Sequence, residues 1–309
     1  MAPPRPVLHV HLGAQKTATT HIQETLALSA AALEARGVRY APLDVCRDRI
    51  SPLLNLRRSW RAWVGGPPLR RRVFAAAGFD PSRHGTLLLS EENWAGRIDT
   101  LFAERPFENV ARRVSVLARL AGQGGLRLFF AVRSYDAVAE SAYIETLKIG
   151  PHRIGREAAR SAVMASRRGW FEVLGDIRAA APGAALTVWR YEDYAPRRLA
   201  ILEALSGVGG VAFPEPPPAR VTPPLTMAAV EAAEALDPAL APRDWNDAAK
   251  ATLAEPRPEG PRYALFDEAE RAALRARYAA DLARIDAAWP AMRLRVDAAA
   301  APQAAERVR

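Results

Sequence analysis

The chain has 309 residues, half of them apolar, enough for one large α/β domain with additions. Its net charge is +9, but all except three of the 43 basic residues are arginine and they are spread along the chain, so the charge reads as a compositional bias and no nucleic-acid partner is expected. The lone cysteine, Cys46, excludes an internal disulfide framework and a cysteine-rich zinc site; with no secretory pattern and no apolar run of about 18 residues, a cytoplasmic protein without a membrane span is expected.

The first predicted element is a short strand through Val7, Leu8, Val10 and Leu12, closed by Gly13. His9 and His11 alternate along it and read as satisfied strand histidines rather than metal ligands. Lys16, Thr17, Thr19 and Thr20 then open a helical pattern that continues through Ile22, Leu26 and Leu33. A helix N-terminus carries roughly +0.5 of a charge and several unpartnered N–H groups, so a lysine and three hydroxyls there suit a phosphate-like anion. The competing reading is a first turn merely capped by threonines. One glycine three residues before the lysine is too little for a Walker loop. The run GAQKTATT, Gly13 to Thr20, instead resembles the phosphosulfate-binding loop G-x-x-K-T-[GA]-T-T of the sulfotransferases. Those enzymes use 3′-phosphoadenosine 5′-phosphosulfate and need no metal. The resemblance implies donor contacts from Gly13, Ala14, Gln15, Lys16, Thr17, Ala18, Thr19 and Thr20, with Lys16 catalytic as well. His21 stands where cytosolic relatives carry a tryptophan that stacks on adenine, a role a histidine ring could fill more weakly.

A second strand is predicted at Val38 to Ala41, then an arginine-rich helical stretch from Asp48 to Phe79 interrupted by Gly65, Gly66, Pro67 and Pro68. Trp60 and Trp63 share a helical face there, a spacing that favours core over sugar stacking, and stand as acceptor-side candidates only. Thr86 to Ser90 is a compact apolar strand that delivers Glu91, Glu92 and Asn93 to its carboxyl end, where ligands of parallel sheets sit. Transfer to a hydroxyl needs a base, and two adjacent carboxylates can raise one another's pKa. Alternatively one of them caps the next turn and the other is solvated. The segment SEENWAG, Ser90 to Gly96, resembles the S-[DE]-E-N segment of bacterial members of the same group, and on that analogy Glu92 is preferred to Glu91 as the base.

A helix is predicted from Phe107 to Leu120, then a strong strand from Leu126 to Val132 that runs into Arg133, with Ser141 on the helix that follows. An arginine at a strand end and a serine two turns along can converge on one phosphate. RSYDAVAESAY resembles the R-x7-S element that binds the donor's 3′-phosphate in these families. One helix is read over Arg153–Ala180, a strand over Ala185–Tyr191 ending in Glu192 and Asp193, a loop over Gly207–Pro224, a helical hairpin over Leu225–Leu253, and a helix over Phe266–Trp289 with Leu274, Tyr278, Leu282 and Ile285 on one face.

The expected fold is therefore α/β: a three-layer parallel sheet with helices on both faces, which the resemblance makes a P-loop-NTPase-like sulfotransferase fold. One domain spans 1–296, with its core at about 7–206, a helical part at about 225–290 and a disordered tail at 297–309. The expected activity is sulfuryl transfer from 3′-phosphoadenosine 5′-phosphosulfate, leaving 3′-phosphoadenosine 5′-phosphate, to a hydroxyl or amine of a glycan or other small acceptor, without a metal. A nucleotide kinase or phosphotransferase, or a binding protein that has lost the chemistry, are the alternatives. Neither the acceptor nor the oligomeric state is legible.

Overall fold

Five apolar segments pair into one sheet in the computed structural model, which describes residues 6–54, 66–122, 125–150, 154–217, 225–255 and 260–294. They are β1 (Val7–His11), β2 (Val38–Ala41), β3 (Thr86–Ser90), β4 (Leu126–Val132) and β5 (Ala185–Arg190), all parallel, in the order β2-β3-β1-β4-β5. Both faces of such a sheet must be covered, and the period of two divides the side chains accordingly. Leu8 and Val10 of the first strand with Leu12 just past its end, Leu87 and Leu89 of the third, and Leu126, Leu128, Phe130 and Val132 of the fourth enter one core. Leu88, Phe129, Ala131 and Trp189 point into the other. Each fully buried Leu or Phe contributes roughly 1.5–3 kcal/mol, and a one-residue slip would send every side chain of a strand into the opposite core, where its neighbours do not match it.

Helices α1 (Thr19–Leu28), α2 (Ala30–Glu34) and α9 (Tyr194–Ser206) cover the second face. The first is covered by α4 (Gly66–Ala77), α5 (Val110–Ala121), α6 (Tyr135–Thr146), α8 (Trp170–Ala180) and the long α12 (Glu268–Ala288), with α3 (Ser51–Leu54) and α7 (Arg156–Ala165) beside them. A helical pair, α10 (Met227–Glu234) and α11 (Pro242–Ala254), packs together near the end of α6. Among the described residues no helix is long and apolar enough to cross a membrane.

Several elements differ from the sequence reading. The first helix stops at Leu28, where Ser29 turns its hydroxyl back onto the Thr25 carbonyl, and α2 carries Leu33 separately. Gly66, Pro67 and Pro68 open α4 instead of interrupting a helix, because proline fits a first helical turn. The single helix expected over 153–180 is two, split by extended backbone at Ser166 and Gly169. Arg168 in that split donates to the Pro106 carbonyl (2.7 Å) and to Asp176 (2.6 Å), which anchors the break to neighbouring segments. The helix expected from Phe107 begins at Val110, since Phe107 itself has φ 55°. Trp60, Trp63, the Pro-rich 218–224 segment and the 297–309 tail lie outside the described residues.

The strand order fixes where a ligand would sit. From β1 the chain crosses towards β2, whereas from β4 it crosses the opposite way towards β5, so the connections diverge from adjacent strands. The crevice beyond the carboxyl ends of β1 and β4 is where open α/β sheets bind ligands.

Candidate functional site

At the end of β1 the chain makes a loop held by both neighbouring strands. Ala14 N–H donates to the Ala131 carbonyl (3.1 Å), and Gln15 reaches the Gly96 carbonyl with its amide. Gly13 has φ 98°, and a Cβ there would come within 3.1 Å of the Glu92 Cβ, so both conformation and space require glycine. Lys16 (φ 61°) and Ala18 (φ 64°) also occupy the left-handed region, at a cost of order 1–3 kcal/mol each that the surroundings must offset. Thr17 helps by donating to the Ala14 carbonyl (2.6 Å).

The N-cap of α1 is Ala18, with no side-chain hydrogen bond at the cap. The threonine-capped helix is thus not what forms: Thr19 and Thr20 are already helical, and the Thr19 hydroxyl donates to the Glu92 carboxylate instead. The N–H groups of the first turn therefore have no capping oxygen and face a cleft of about 1120 Å³. Its walls include Gln15, Lys16, Ala18, Thr19, Thr20, His21, Glu92, Glu145 and Tyr191. That volume exceeds the roughly 300–1,000 Å³ of a single small-molecule site.

Lys16 ends in an ion pair with Glu145 of α6 at 2.7 Å, and Lys148 meets the same carboxylate oxygen at 3.0 Å. Although burial opposes it, the two lysines hold the Glu145 carboxyl below the usual carboxylate range. Arg133, at the end of β4, donates from Nη1 to the Lys16 carbonyl (2.6 Å) and lies 4.2 Å above the Tyr191 ring. Its Nε is buried without a hydrogen-bond partner. The two basic residues, 117 positions apart, are therefore in contact. Arg133 reaches the cleft through the Lys16 backbone and Tyr191 rather than lining it directly. Ser141 is half-buried one turn before Glu145 on α6 and does not line the cleft.

The turn that carries Arg133 is braced from far along the chain. Trp170 donates its indole N–H to the Arg133 carbonyl (2.8 Å) and its backbone N–H to the Tyr135 hydroxyl (2.6 Å). Tyr135 in turn donates to Asp281 of α12, and Tyr278 of α12 donates to Glu192 (2.9 Å), which also accepts the Ser134 N–H (3.0 Å). The Tyr-Glu-Asp triplet after β5 thus fixes geometry, Asp193 through a fork on Arg190 at 2.6 and 2.8 Å and Glu192 through α12.

Of the two carboxylate candidates for a base, Glu91 is not available. It is 1 % exposed; one oxygen takes Arg47 Nε at 2.7 Å and the other takes the N–H and side-chain amide of Asn93 at 2.9 and 2.7 Å. It is a cap and a buried ion-pair partner. Glu92 faces the cleft beside Lys16. Burial pushes its carboxyl above the usual range against the Thr19 hydrogen bond; the Glu91 charge adds to the rise, and Arg47 and Lys16 oppose it. A carboxylate with a raised pKa, held at a cleft beside Lys16, is suited to take a proton.

The histidines divide. His9 Nδ1 donates to the Leu205 carbonyl (2.7 Å), while His11 shares a hydrogen bond with Ser90 (2.9 Å), stacks on Trp189 and is pushed down to about 3 by burial. Both are core residues under the loop. His21 lines the cleft, but its two ring nitrogens meet the Tyr194 hydroxyl and Glu215, each at 2.8 Å. Among the described residues no cluster of three or more His, Cys, Asp or Glu could hold a metal.

Glu145, Arg47 and Tyr191 belong to this site although sequence reasoning did not select them. Only Glu145 carried a local signal, one helical turn past Ser141 on the same face. No family model, no curated protein and no solved structure matches the chain.

Proposed function

We propose that this chain is a sulfotransferase of P-loop-NTPase-like fold, transferring the sulfuryl group of 3′-phosphoadenosine 5′-phosphosulfate to an acceptor hydroxyl or amine. The observation that carries the reading is the contact between Arg133 and the Lys16 carbonyl, which unites two anion-binding elements distant in sequence at one crevice, with Glu92 beside them. The uncapped first turn of α1 beside Lys16 supports a phosphate-bearing ligand at this cleft, and Arg133, with its partnerless Nε, stands directly behind the Lys16 carbonyl and Tyr191.

In this reading the bound donor supplies the transferable sulfuryl group. Lys16, released from Glu145, and the first-turn N–H groups of α1 hold the 5′ end and neutralise the charge that gathers there, a stabilisation that grows towards the transition state. Arg133, stacked on Tyr191, sets the position of the 3′-phosphate, with Ser141 as the expected second contact. Glu92 accepts the proton of the acceptor hydroxyl, with Thr19 orienting its carboxylate.

Calorimetry tests this. Binding of 3′-phosphoadenosine 5′-phosphate is expected without metal, at least tenfold tighter than ATP with Mg²⁺, lost in Lys16→Ala and Arg133→Ala and retained in Glu92→Gln. Preference for ATP with Mg²⁺ would replace the reading with phosphoryl transfer. Binding that survives Arg133→Ala but not Glu92→Gln would reverse the roles assigned to those residues. Donor consumption with an acceptor panel then separates an enzyme from a protein that only binds.

A further inference from the structure

A second cavity, of about 580 Å³, opens on the side of Glu91 and Asn93. It shares Arg47, Asn93, Ile98 and Ile149 with the main cleft, so the two spaces are one continuous recess. Its volume falls within the rough 300–1,000 Å³ range of small-molecule sites. Glu92 stands at the junction, since Arg47, which lines both spaces, reaches its carboxylate at 3.6 Å.

The polar side chains of this wall are already engaged within the protein. Arg47 holds one oxygen of Glu91 (2.7 Å), the Asn93 amide donates to the other (2.7 Å), and Arg113 donates to the Asn93 carbonyl (2.6 Å). The Ser51 hydroxyl donates to the Cys46 carbonyl (2.7 Å) and accepts the Trp94 indole N–H (2.8 Å), and Arg97 is paired with Asp99 at 3.1 Å. A charged or polyhydroxylated ligand would have to displace these bonds, and a guest that breaks one bond to make another gains little. What the wall offers instead is carbon: Pro52, Ile98, the buried Trp94 and Ile149. Ile149 is 44 % exposed, one of the few large apolar side chains left so among the described residues, and it lines both spaces. Covering it from water is a gain that an apolar guest makes and a sugar or an acid does not.

Resting on the sulfotransferase reading above, we infer that this cavity is the acceptor subsite and that it takes a hydroxyl or amine on an uncharged apolar body, seated against Ile98 and Ile149 with the reacting group at Glu92. The body needs no hydrogen bond from the wall, and the polar contacts gather at one end, the arrangement small-molecule sites favour. The acceptor gives its proton to Glu92 as its oxygen or nitrogen bonds to sulfur and the bond from sulfur to the bridging oxygen of the nucleotide breaks.

The test is calorimetry on the full chain, with and without 3′-phosphoadenosine 5′-phosphate, using 2-naphthol, 6-hydroxy-2-naphthoate and methyl β-D-glucoside as probes. The first two share a body and differ by one carboxylate, and the third is a neutral polyol. The naphthol is expected to bind roughly tenfold tighter than the glucoside and about threefold tighter than the naphthoate. Ile149→Asn, a change at an exposed side chain, is expected to weaken the naphthol about fivefold, whereas Ile149→Leu keeps it and Arg97→Gln leaves it within about twofold. Equal binding of naphthol and glucoside, tighter binding of the naphthoate than of the naphthol, no binding of any probe, full naphthol binding by Ile149→Asn, or an equal loss in Arg97→Gln overturns the inference. The nucleotide titration on the same sample separates the two readings. Nucleotide binding without the apolar preference defeats this inference alone, and the apolar preference without nucleotide binding defeats the donor reading on which the acceptor role rests.

Discussion

In the proposed reading an incoming anion has to take Lys16 from Glu145, and Glu145→Gln is therefore expected to tighten nucleotide binding. The pair is close, 2.7 Å, and its side chains are 28 % and 37 % exposed, between a solvated surface pair and a buried one. Exposed pairs are worth about 0.2–1 kcal/mol and charge-assisted hydrogen bonds about 1.5–3 kcal/mol; with a third of the carboxylate in water, about 1 kcal/mol is the appropriate scale. Glu145 keeps Lys148 when Lys16 departs, which lowers the cost of separation further. Removing the carboxylate charge also removes its repulsion of the donor, so a gain of about fivefold or somewhat more in affinity for 3′-phosphoadenosine 5′-phosphate is expected. Calorimetry on the two proteins at low salt measures it, and the gap should narrow at 1 M salt, where the screening length is about 3 Å. Unchanged or weaker binding by Glu145→Gln would show that the carboxylate positions Lys16 for the ligand instead of competing with it, and would refute the argument.

Three further outcomes follow from the same geometry. Glu92 has a folded-state pKa raised above its unfolded value, so the native state holds the extra proton and stability declines as pH rises through that window; Glu92→Gln should therefore be more stable than the parent at pH 7, with the difference shrinking as the pH falls into the ordinary carboxylate range in urea titrations, and a loss of stability at pH 7 would contradict the raised pKa. For His11 the folded pKa is depressed to about 3, so its contribution is intact above about 6.5 and is lost as pH falls towards 3, at about 1.4 kcal/mol per unit; His11→Asn should flatten the acid side of the stability profile between pH 6 and 4, leaving a residue due to His9, and an unaltered slope would mean that His11 is protonated in the native state. Gly13→Ala places a methyl 3.1 Å from the Glu92 Cβ at φ 98° and should cost about 1–2 kcal/mol in thermal unfolding and impair nucleotide binding; a neutral variant would mean the loop readily adopts another path.

The strands were the legible part of the chain because both faces of a parallel sheet are buried: TLLLS and LRLFFAV are unbroken enough to give β3 and β4 to the residue. Helix ends were less legible. The apolar spacing of 153–180 and 19–33 runs through the breaks at Ser166–Gly169 and Ser29, and what ends each helix there is a tertiary or hydroxyl contact that no local pattern announces. Within the site, the loop, Glu92 and Arg133 were visible as strand-end residues. The ion pair of Lys16 with Glu145 and the capture of Glu91 by Arg47 were not, because residues 129 and 44 positions apart meet only through the crossover order of the sheet. That same capture shows which of the two adjacent glutamates is tied up by the fold, a distinction that no local pattern carries.

The brace from α12 makes the distal helix a keystone of the Arg133 turn, more than a hundred positions before it. Residues 7 to 193 hold every recognisable signature, yet Tyr278 and Asp281 clamp the elbow on which one of those signatures sits. A truncation ahead of residue 268 would keep the whole written pattern and lose the rigidity that gives it meaning. Grafting the loop and the arginine into another sheet would, for the same reason, transplant the letters without the grammar.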